Sequence, residues 1–461
     1  MRSSTVVVRE HQRVPLVPVR APGDRGVLSE GEATAVLAAC ARIKPAPVIA
    51  GYKSLQFSNW CGVIQAGGVT VEVLPKIADS DDFDRGLLLR MLAIALEFPV
   101  SRIADASLGK QSHSLLHWLI RWFCDELFRQ FHAGPLRAYV EQHDVLPSIR
   151  GRWRPDLDAT RTVGRKDRLN CDFDDLTFDN PWNRALKAAL RTTRRLALGR
   201  DQLLCDIETL HAWLSDVSDV HVTVEDLHAL PKNRLVARYD AALRMAEWFI
   251  ARESANLQHG ASQGFALLFE MNMLFQAFIG RLLPKALPIG YQIRSERPRY
   301  FLTCNAEGTG QFQMKPDFCV IRDGQIVAII DAKWKRIDPN SKYGKWGISQ
   351  ADVYQLHAYS NAYDCKRVSL WYPFQFSLTG HEVRPRHEFL RLGKTPTGSS
   401  LLVDWISVDS QATGPAWKAT IVGELVGGLS RIGLSHRFRP KADMIDEDRP
   451  PDHAERRANL K

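Results

Sequence analysis

The sequence predicts an α/β protein with a β-rich N-terminal region, a helical middle region and a C-terminal α/β module built on a mixed central sheet. Three patterns predict it. Apolar residues alternate at period two beside Gly67-Gly68 and recur at helical spacing between 114 and 199. From 265 onward they follow the order helix, hairpin, helix, strand. At 461 residues, 45% hydrophobic and 25% charged, the chain can bury a large core and divide into domains. The expected boundaries are 1–105, 106–255 and 256–436, followed by a charged, Pro-rich segment over 437–461 that reads as a disordered tail.

In the first part, "GVIQAGGVTVEVLPKI" (Gly62 to Ile77) places two glycines between short apolar runs, a hairpin signal. Val69, Val71 and Val73 alternate with Thr70, Glu72 and Leu74, which predicts a strand with one buried face. The middle opens with "SLLHWLIRWFCDELFRQFHAG", where Leu116, Leu119, Ile120, Phe123, Leu127 and Phe131 share a helix face. Gly134 suits its C-terminal stop. "DNPWNRALKAALRTTRRLALG" follows, with Asn180 as cap, Pro181 in the first turn and Gly199 at the end.

A polar stretch, "ESANLQHGASQG" (Glu253 to Gly264), separates this region from the last. There "FALLFEMNMLFQAFIGRLL" reads as an apolar helix, "KPDFCVIRDGQIVAIIDAKWK" as a hairpin, "ISQADVYQLHAYSNAY" as a crossover helix and "RVSLWYPF" as a central strand.

Several classes are excluded or disfavoured. No apolar run is long enough to span a bilayer, and the N-terminus lacks the apolar core of a signal peptide, so a cytoplasmic address without membrane contact is expected. The eight cysteines are scattered without a C-x-x-C pair and read as reduced, mostly buried thiols rather than a zinc site or disulfide framework. No H-E-x-x-H or His/Cys cluster supports a zinc hydrolase. The formal net charge of +9 is compatible with a polyanion such as nucleic acid.

The hairpin carries the chemistry. Asp323-Gly324 is its turn, which brings Asp317 beside Ile330 or Asp331, depending on loop length. Asp331 and Lys333 are two apart and project from one face. Two carboxylates and an ammonium therefore meet at a sheet end. The plain alternative is a solvated ion pair. The setting weighs against it, because "IVAIIDAKW" is nearly continuously apolar, as in a strand buried on both faces. Charges at such a place are costly without a task. Paired carboxylates suit Mg²⁺ (or Mn²⁺), which takes hard oxygen ligands and activates water for phosphodiester hydrolysis. Asp317, Asp331 and Ala332 are the positions expected to hold it, with Lys333 orienting water or stabilising the phosphorus centre.

Pro316-Asp317 with Asp331-Ala332-Lys333 resembles the PD-(D/E)XK nuclease superfamily, and Gln355 with Tyr359 matches the Q-x-x-x-Y element of its RecB-like members. More widely, "NWCGVIQAGGVTVEVLPKI", "LPSIRGRW", "FDDLTFDNPWNRALKAAL" and "DVYQLHAYSNAY" resemble successive blocks of McrC, the nuclease subunit of McrBC methylation-dependent restriction systems. The likeness runs from about Asn59 to about Phe374. It implies a PD-(D/E)XK nuclease domain, double-stranded and methylated DNA as substrate, and an McrB-like AAA+ GTPase as partner. One departure stands out: the family's Leu-Phe-Glu is here Leu274-Phe275-Gln276, and Glu270 lies six residues earlier on another helix face.

The resemblance also implies that this chain binds no nucleotide itself. Gly393-Lys394-Thr395 is a Walker-like decoy, with Glu388 where the loop's first glycine should stand and Pro396 immediately after. Arg150, Arg152 and Arg154 in "SIRGRWRP" are candidate contacts to the partner or to DNA, with a solvated basic loop as the alternative. Asn183 reads as structural. Two other functions remain open at this level: a self-sufficient RecB-like repair nuclease, and a non-catalytic activator of the partner GTPase whose nuclease site has decayed.

Overall fold

A computed structural model describes residues 4–434 except 22–23, 25, 78–79, 98–113, 162–166, 198–200, 258–263, 296–299, 342–344, 376–377, 379–383, 391–395 and 409–414. Gly393-Lys394-Thr395, Gly199 and the tail from 437 lie outside the described residues.

The N-terminal part contains β1 (Ser4–Arg9), β2 (Arg13–Val17), β3 (Leu28–Ser29), α1 (Glu30–Cys40), β4 (Val48–Gly51), β5 (Ser54–Phe57), β6 (Trp60–Ala66), β7 (Val69–Leu74) and α2 (Asp81–Ala95). Gly67 and Gly68 both have positive φ, as the two-residue turn between β6 and β7 requires. Helix α1, which sequence periodicity does not separate from the strands, starts at a capping box made by Ser29 and Glu32.

β7 departs from its expected half-burial: every residue in it is buried. It is a central strand of the sheet β1-β7-β6-β11 and is covered on both faces. Glu72 is tolerated there because Arg85 pairs with it at 2.9 Å and the Leu115 N–H donates to it at 2.6 Å.

The middle part holds α3 (Leu115–His132), β8 (Ala138–Leu146), β9 (Arg152–Trp153), α4 (Pro155–Arg161), β10 (Leu169–Thr177), α5 (Pro181–Leu196), α6 (Asp201–Trp213), α7 (Val224–Ala229) and α8 (Asp240–Leu257). Asn180 caps α5, accepting from Asn183 N at 3.0 Å. Asn183 is structural: its amide donates to the carbonyls of Leu136 and Phe178. The three-stranded sheet β8-β10-β9 interrupts the helices, which sequence periodicity did not reveal.

The last part runs β11 (Phe265–Glu270), α9 (Met271–Ala286), β12 (Tyr291–Ser295), β13 (Phe301–Cys304), β14 (Gly310–Gln313), β15 (Phe318–Arg322), β16 (Gln325–Ala332), α10 (Gln350–Ala362), β17 (Arg367–Pro373), β18 (Arg386–Leu390), β19 (Pro396–Ile406) and α11 (Pro415–Arg431). The helix expected from Phe265 begins only at Met271. Phe265–Glu270 is instead a strand, antiparallel to β6 of the N-terminal sheet. A short apolar run satisfies either structure, and here the β6 ladder decides. Gly62 permits the approach: a Cβ there would stand 2.1 Å from the Leu267 carbonyl oxygen.

The main sheet has the order β12-β15-β16-β17-β19-β18, with β16, β17 and β19 parallel and the other pairs antiparallel, a mixed sheet as expected. One face packs on α9 and α11 and joins the large core of the helical middle. The other packs on α10. Six of the eight cysteines are buried and all are free, as their scattered spacing predicts. Among the described residues no helix is long and apolar enough to cross a membrane.

Candidate active site

β15 and β16 meet at Asp323-Gly324, both at positive φ, with Phe318 opposite Ile330. That register sets Asp317 level with Asp331, one of the two expected alternatives, and the Asp317 Oδ2 accepts the Ala332 N–H at 2.8 Å. β16 lies between β15 and β17, so its C-terminal half is buried on both faces. The ladder with β17 continues to Lys333, whose N–H donates to the Trp371 carbonyl at 2.8 Å. Pro373 has no N–H to extend it, and the Lys333 carbonyl instead accepts from Lys335 N at 3.0 Å.

Asp331 is 1% exposed. Lys333 Nζ stands 2.7 Å from its Oδ2, yet that oxygen receives no well-aligned hydrogen bond. The contact is a close ion pair. Burial pushes the Asp331 pKa up, and the charge of Lys333 only partly opposes this. For Lys333 the balance is reversed: burial pulls its pKa down, but the carboxylates of Asp331, Asp352 and Asp317 together raise it and hold the ammonium charged.

From Lys333 a hydrogen-bonded relay crosses to α10. Nζ donates to Gln355 Oε1 at 3.0 Å, Gln355 Nε2 to the Tyr359 hydroxyl at 2.8 Å, and that hydroxyl to the Lys315 carbonyl at 2.9 Å. Burial raises the Tyr359 pKa to about 12, so the phenol stays protonated at neutral pH. The relay ends on the residue before Pro316-Asp317. The fold thus joins Asp317, Asp331, Lys333, Gln355 and Tyr359 in one network.

Asp352 and Lys335 belong to the same group, and sequence reasoning missed them. Asp352 is 6% exposed, and Lys335 Nζ lies 3.0 and 2.8 Å from its two carboxylate oxygens. Its charge acts on Asp331 and Lys333. A signal was available: Asp352 precedes Gln355 by three residues and so shares its helix face.

Glu270 and Gln276 are placed elsewhere. Glu270 caps α9, accepting from Asn272 N at 3.3 Å and Met273 N at 2.8 Å. α9 packs on the sheet face that carries Ile330, Ala332 and Trp334, whereas Ile329 faces Leu356 and Tyr359 of α10. Asp331 shares the face of Ile329, across the sheet from the helix that bears Gln276.

Oxygen donors at the site are the carboxylates of Asp317 and Asp331 and the backbone of Ala332. A buried carboxylate oxygen without an aligned donor, beside a second carboxylate, suits a hard divalent cation. Among the described residues no three His, Cys, Asp or Glu side chains converge on one point, so waters or phosphate would fill the remaining positions. A groove of about 560 Å³ lies on the outer side of α10, against Phe301, Leu302, Tyr354 and His357, and does not reach this network.

The three arginines lie in the β8-β10-β9 sheet region. Arg150 pairs with Asp175 at 2.7 Å, and Arg154 with Asp156 and Asp172 at 2.8 Å each. Arg152 is exposed on β9, opposite Asp172.

A family model described as McrBC 5-methylcytosine restriction system component matches residues 55–373, more than half of the chain. No curated protein gives a significant match. Among solved structures, the fold is similar to a chain in a refined half-complex from a tetradecameric assembly of Thermococcus gammatolerans McrB AAA+ hexamers with bound McrC. The TM-score is 0.65 at 17% identity, covering 93% of this chain and 100% of that one. A second match, in the cryo-EM structure of the Thermococcus gammatolerans McrBC complex, has a TM-score of 0.47 at 19% identity, covering 61% of this chain and 88% of that one.

Proposed function

The chain belongs to the McrBC 5-methylcytosine restriction system component family, and we propose that it is the nuclease subunit: a Mg²⁺-dependent endonuclease of PD-(D/E)XK type that cuts methylated double-stranded DNA with an McrB-like AAA+ GTPase. The observation that carries this reading is Asp331. A carboxylate 1% exposed at the end of a central strand, with an oxygen lacking an aligned donor and a lysine 2.7 Å away, is poorly explained by stability alone.

Asp317, Asp331 and the Ala332 backbone would hold the metal. A Mg²⁺ (or Mn²⁺) ion held there would supply an acidified water and charge compensation for the phosphodiester. Lys333 is held by Asp331 and Gln355, so its ammonium would be preorganised to stabilise charge on the phosphate. Tyr359 fixes Gln355 and, through the Lys315 carbonyl, the strand that presents Asp317. Glu270 serves as a helix cap, which leaves the metal with two carboxylates. The fold likeness to a chain bound to McrB hexamers supports the partner. Arg152 is the arginine of the "SIRGRWRP" stretch best placed to meet that partner or DNA, since Arg150 and Arg154 are engaged by the sheet's own aspartates.

The test is cleavage of methylated plasmid by the full chain with Mg²⁺ and GTP, with and without its cognate GTPase, for wild type, Asp331→Ala and Lys333→Ala. Cleavage by wild type only, and only with the partner, is expected. Equal cutting by the variants would overturn the assigned site. Loss of cutting in every form with GTPase stimulation intact would favour a non-catalytic activator, the reading that Gln276 supports. Partner-free cutting would identify a self-sufficient repair nuclease.

A further inference from the structure

Lys333 and Lys335 differ in what their ammoniums already hold. Lys333 contacts both Asp331 and Gln355, and its side chain is 19% exposed. Lys335 contacts the Asp352 carboxylate and is 45% exposed, so part of its donor capacity faces solvent. The tight turn that returns Lys335 N to the Lys333 carbonyl keeps the second lysine within the electrostatic reach of Asp331.

We propose that Lys335, oriented by the buried carboxylate of Asp352, is a second phosphate-binding residue of the site and grips the DNA backbone beside the phosphodiester held at Asp331 and Lys333. This rests on the nuclease reading and adds a binding residue and a positioning residue to it.

Charge supports it. The cluster sets the carboxylates of Asp317, Asp331 and Asp352 against the ammoniums of Lys333 and Lys335, so it repels a polyanion unless cations face the strand. A divalent ion held at Asp317 and Asp331 would address one phosphate. Lys335 is the remaining cation of this group with an open side. Burial supports it as well. A surface lysine needs no buried partner, and sinking Asp352 into the sheet–helix junction costs desolvation that an exposed pair would not. What the arrangement provides is direction, because it fixes the end of a flexible four-carbon stem.

The test is binding of a short duplex by the full chain in Ca²⁺, in place of Mg²⁺, across a salt series, followed by cleavage with Mg²⁺, GTP and the partner. Lys335→Met is expected to weaken binding about tenfold and to reduce the slope of log K against log [salt] by about one. Lys335→Arg keeps the charge and should restore the slope. Asp352→Asn frees the lysine without removing its charge, so the slope stays while cleavage slows about tenfold or more. A purely structural pair would lower the melting temperature in both single variants and leave both slopes at the wild-type value. Because Lys335→Met leaves Asp352 buried without its cation, the double variant Lys335→Met/Asp352→Asn is measured beside it. Wild-type affinity and slope in the folded double variant would overturn the proposal. The salt slope is read without cleavage, so failure of wild type to cut would count against the nuclease reading and not against Lys335.

Discussion

Asp331 and Lys333 stand 2.7 Å apart where both faces of the sheet are covered; Arg150 and Asp175 stand 2.7 Å apart where both are about half exposed. The first pair sits on β16, whose C-terminal half is buried throughout. The second joins β10 to the loop before β9, in a sheet where exposed and half-buried residues alternate along β8. Equal distances carry different meaning. In the main sheet a charge survives only where neighbours compensate for its lost hydration, as Arg384 and Arg431 do for the buried Asp404, or where a ligand does so. In the β8-β10-β9 sheet, charges answer one another at little cost and specify little.

The sharpest way to break this contrast is Asp331→Ala. Cleavage should fall by about a thousandfold or more, equivalent to about 4 kcal/mol of barrier, while stimulation of the partner GTPase is retained. A variant cutting within tenfold of wild type would put Asp331 in the same class as the surface aspartates.

The opposite face of the same strand should fail in stability rather than in chemistry. Trp334 is 1% exposed, packs at a tilt against Phe275 with 5.4 Å between centroids, and donates its Nε1–H to Glu10 Oε1 at 2.8 Å. Trp334→Ala should cost about 3–5 kcal/mol in urea denaturation. Trp334→Phe keeps most of the packing but leaves Glu10, whose Oε2 already lacks a hydrogen-bond donor, without its indole donor. About 1–3 kcal/mol is expected for that variant.

Glu10 gives this anchor a pH signature. Burial raises its pKa, with the charge of Lys76 opposing. A raised carboxyl pKa means that the folded chain binds the proton more tightly than the unfolded one. The associated stability is present below the ordinary glutamate pKa and is lost as pH climbs from there through the raised value. Glu10→Gln should flatten that part of the stability profile in denaturant melts taken between about pH 4 and 8. An unchanged profile would show that Glu10 is not held in this environment.

These regions were unequally legible in the sequence. The site hairpin could be read to within one residue, because an Asp-Gly turn and an unbroken apolar run fix both its fold and its burial. Glu10 could not, because only tertiary contact brings it to Trp334; Asp352 shares the helix face of Gln355, but only tertiary contact pairs it with Lys335. Phe265–Glu270 has no period to separate strand from helix, and its pairing with β6 decided it; Glu270 thereby became a cap rather than a site residue. The strands β8 and β10 lack a continuous apolar face, so they escaped a reading tuned to burial. Their arginines looked equivalent for the same reason: the aspartates that engage Arg150 and Arg154 lie across the sheet or beyond a turn.

That inequality among the arginines supplies the smallest effects. Arg152→Ala should weaken association with the partner GTPase, or with DNA, by about 1–2 kcal/mol, as expected for an exposed arginine at an interface, and should leave the melting temperature alone. Arg150→Ala should do the reverse on a smaller scale. It removes an exposed ion pair with Asp175 and a guanidinium lying 4.1 Å from the Phe173 ring centroid, together worth about 0.5–1 kcal/mol of stability. Its effect should shrink as salt is raised, because the pair is open to solvent. Titration calorimetry against the partner, paired with melts at low and high salt, separates the two. Should Arg150→Ala abolish partner binding while Arg152→Ala is silent, the pairing seen in the free chain is exchanged on assembly. The charges of the β8-β10-β9 sheet would then serve function, as those buried beside β16 are proposed to do.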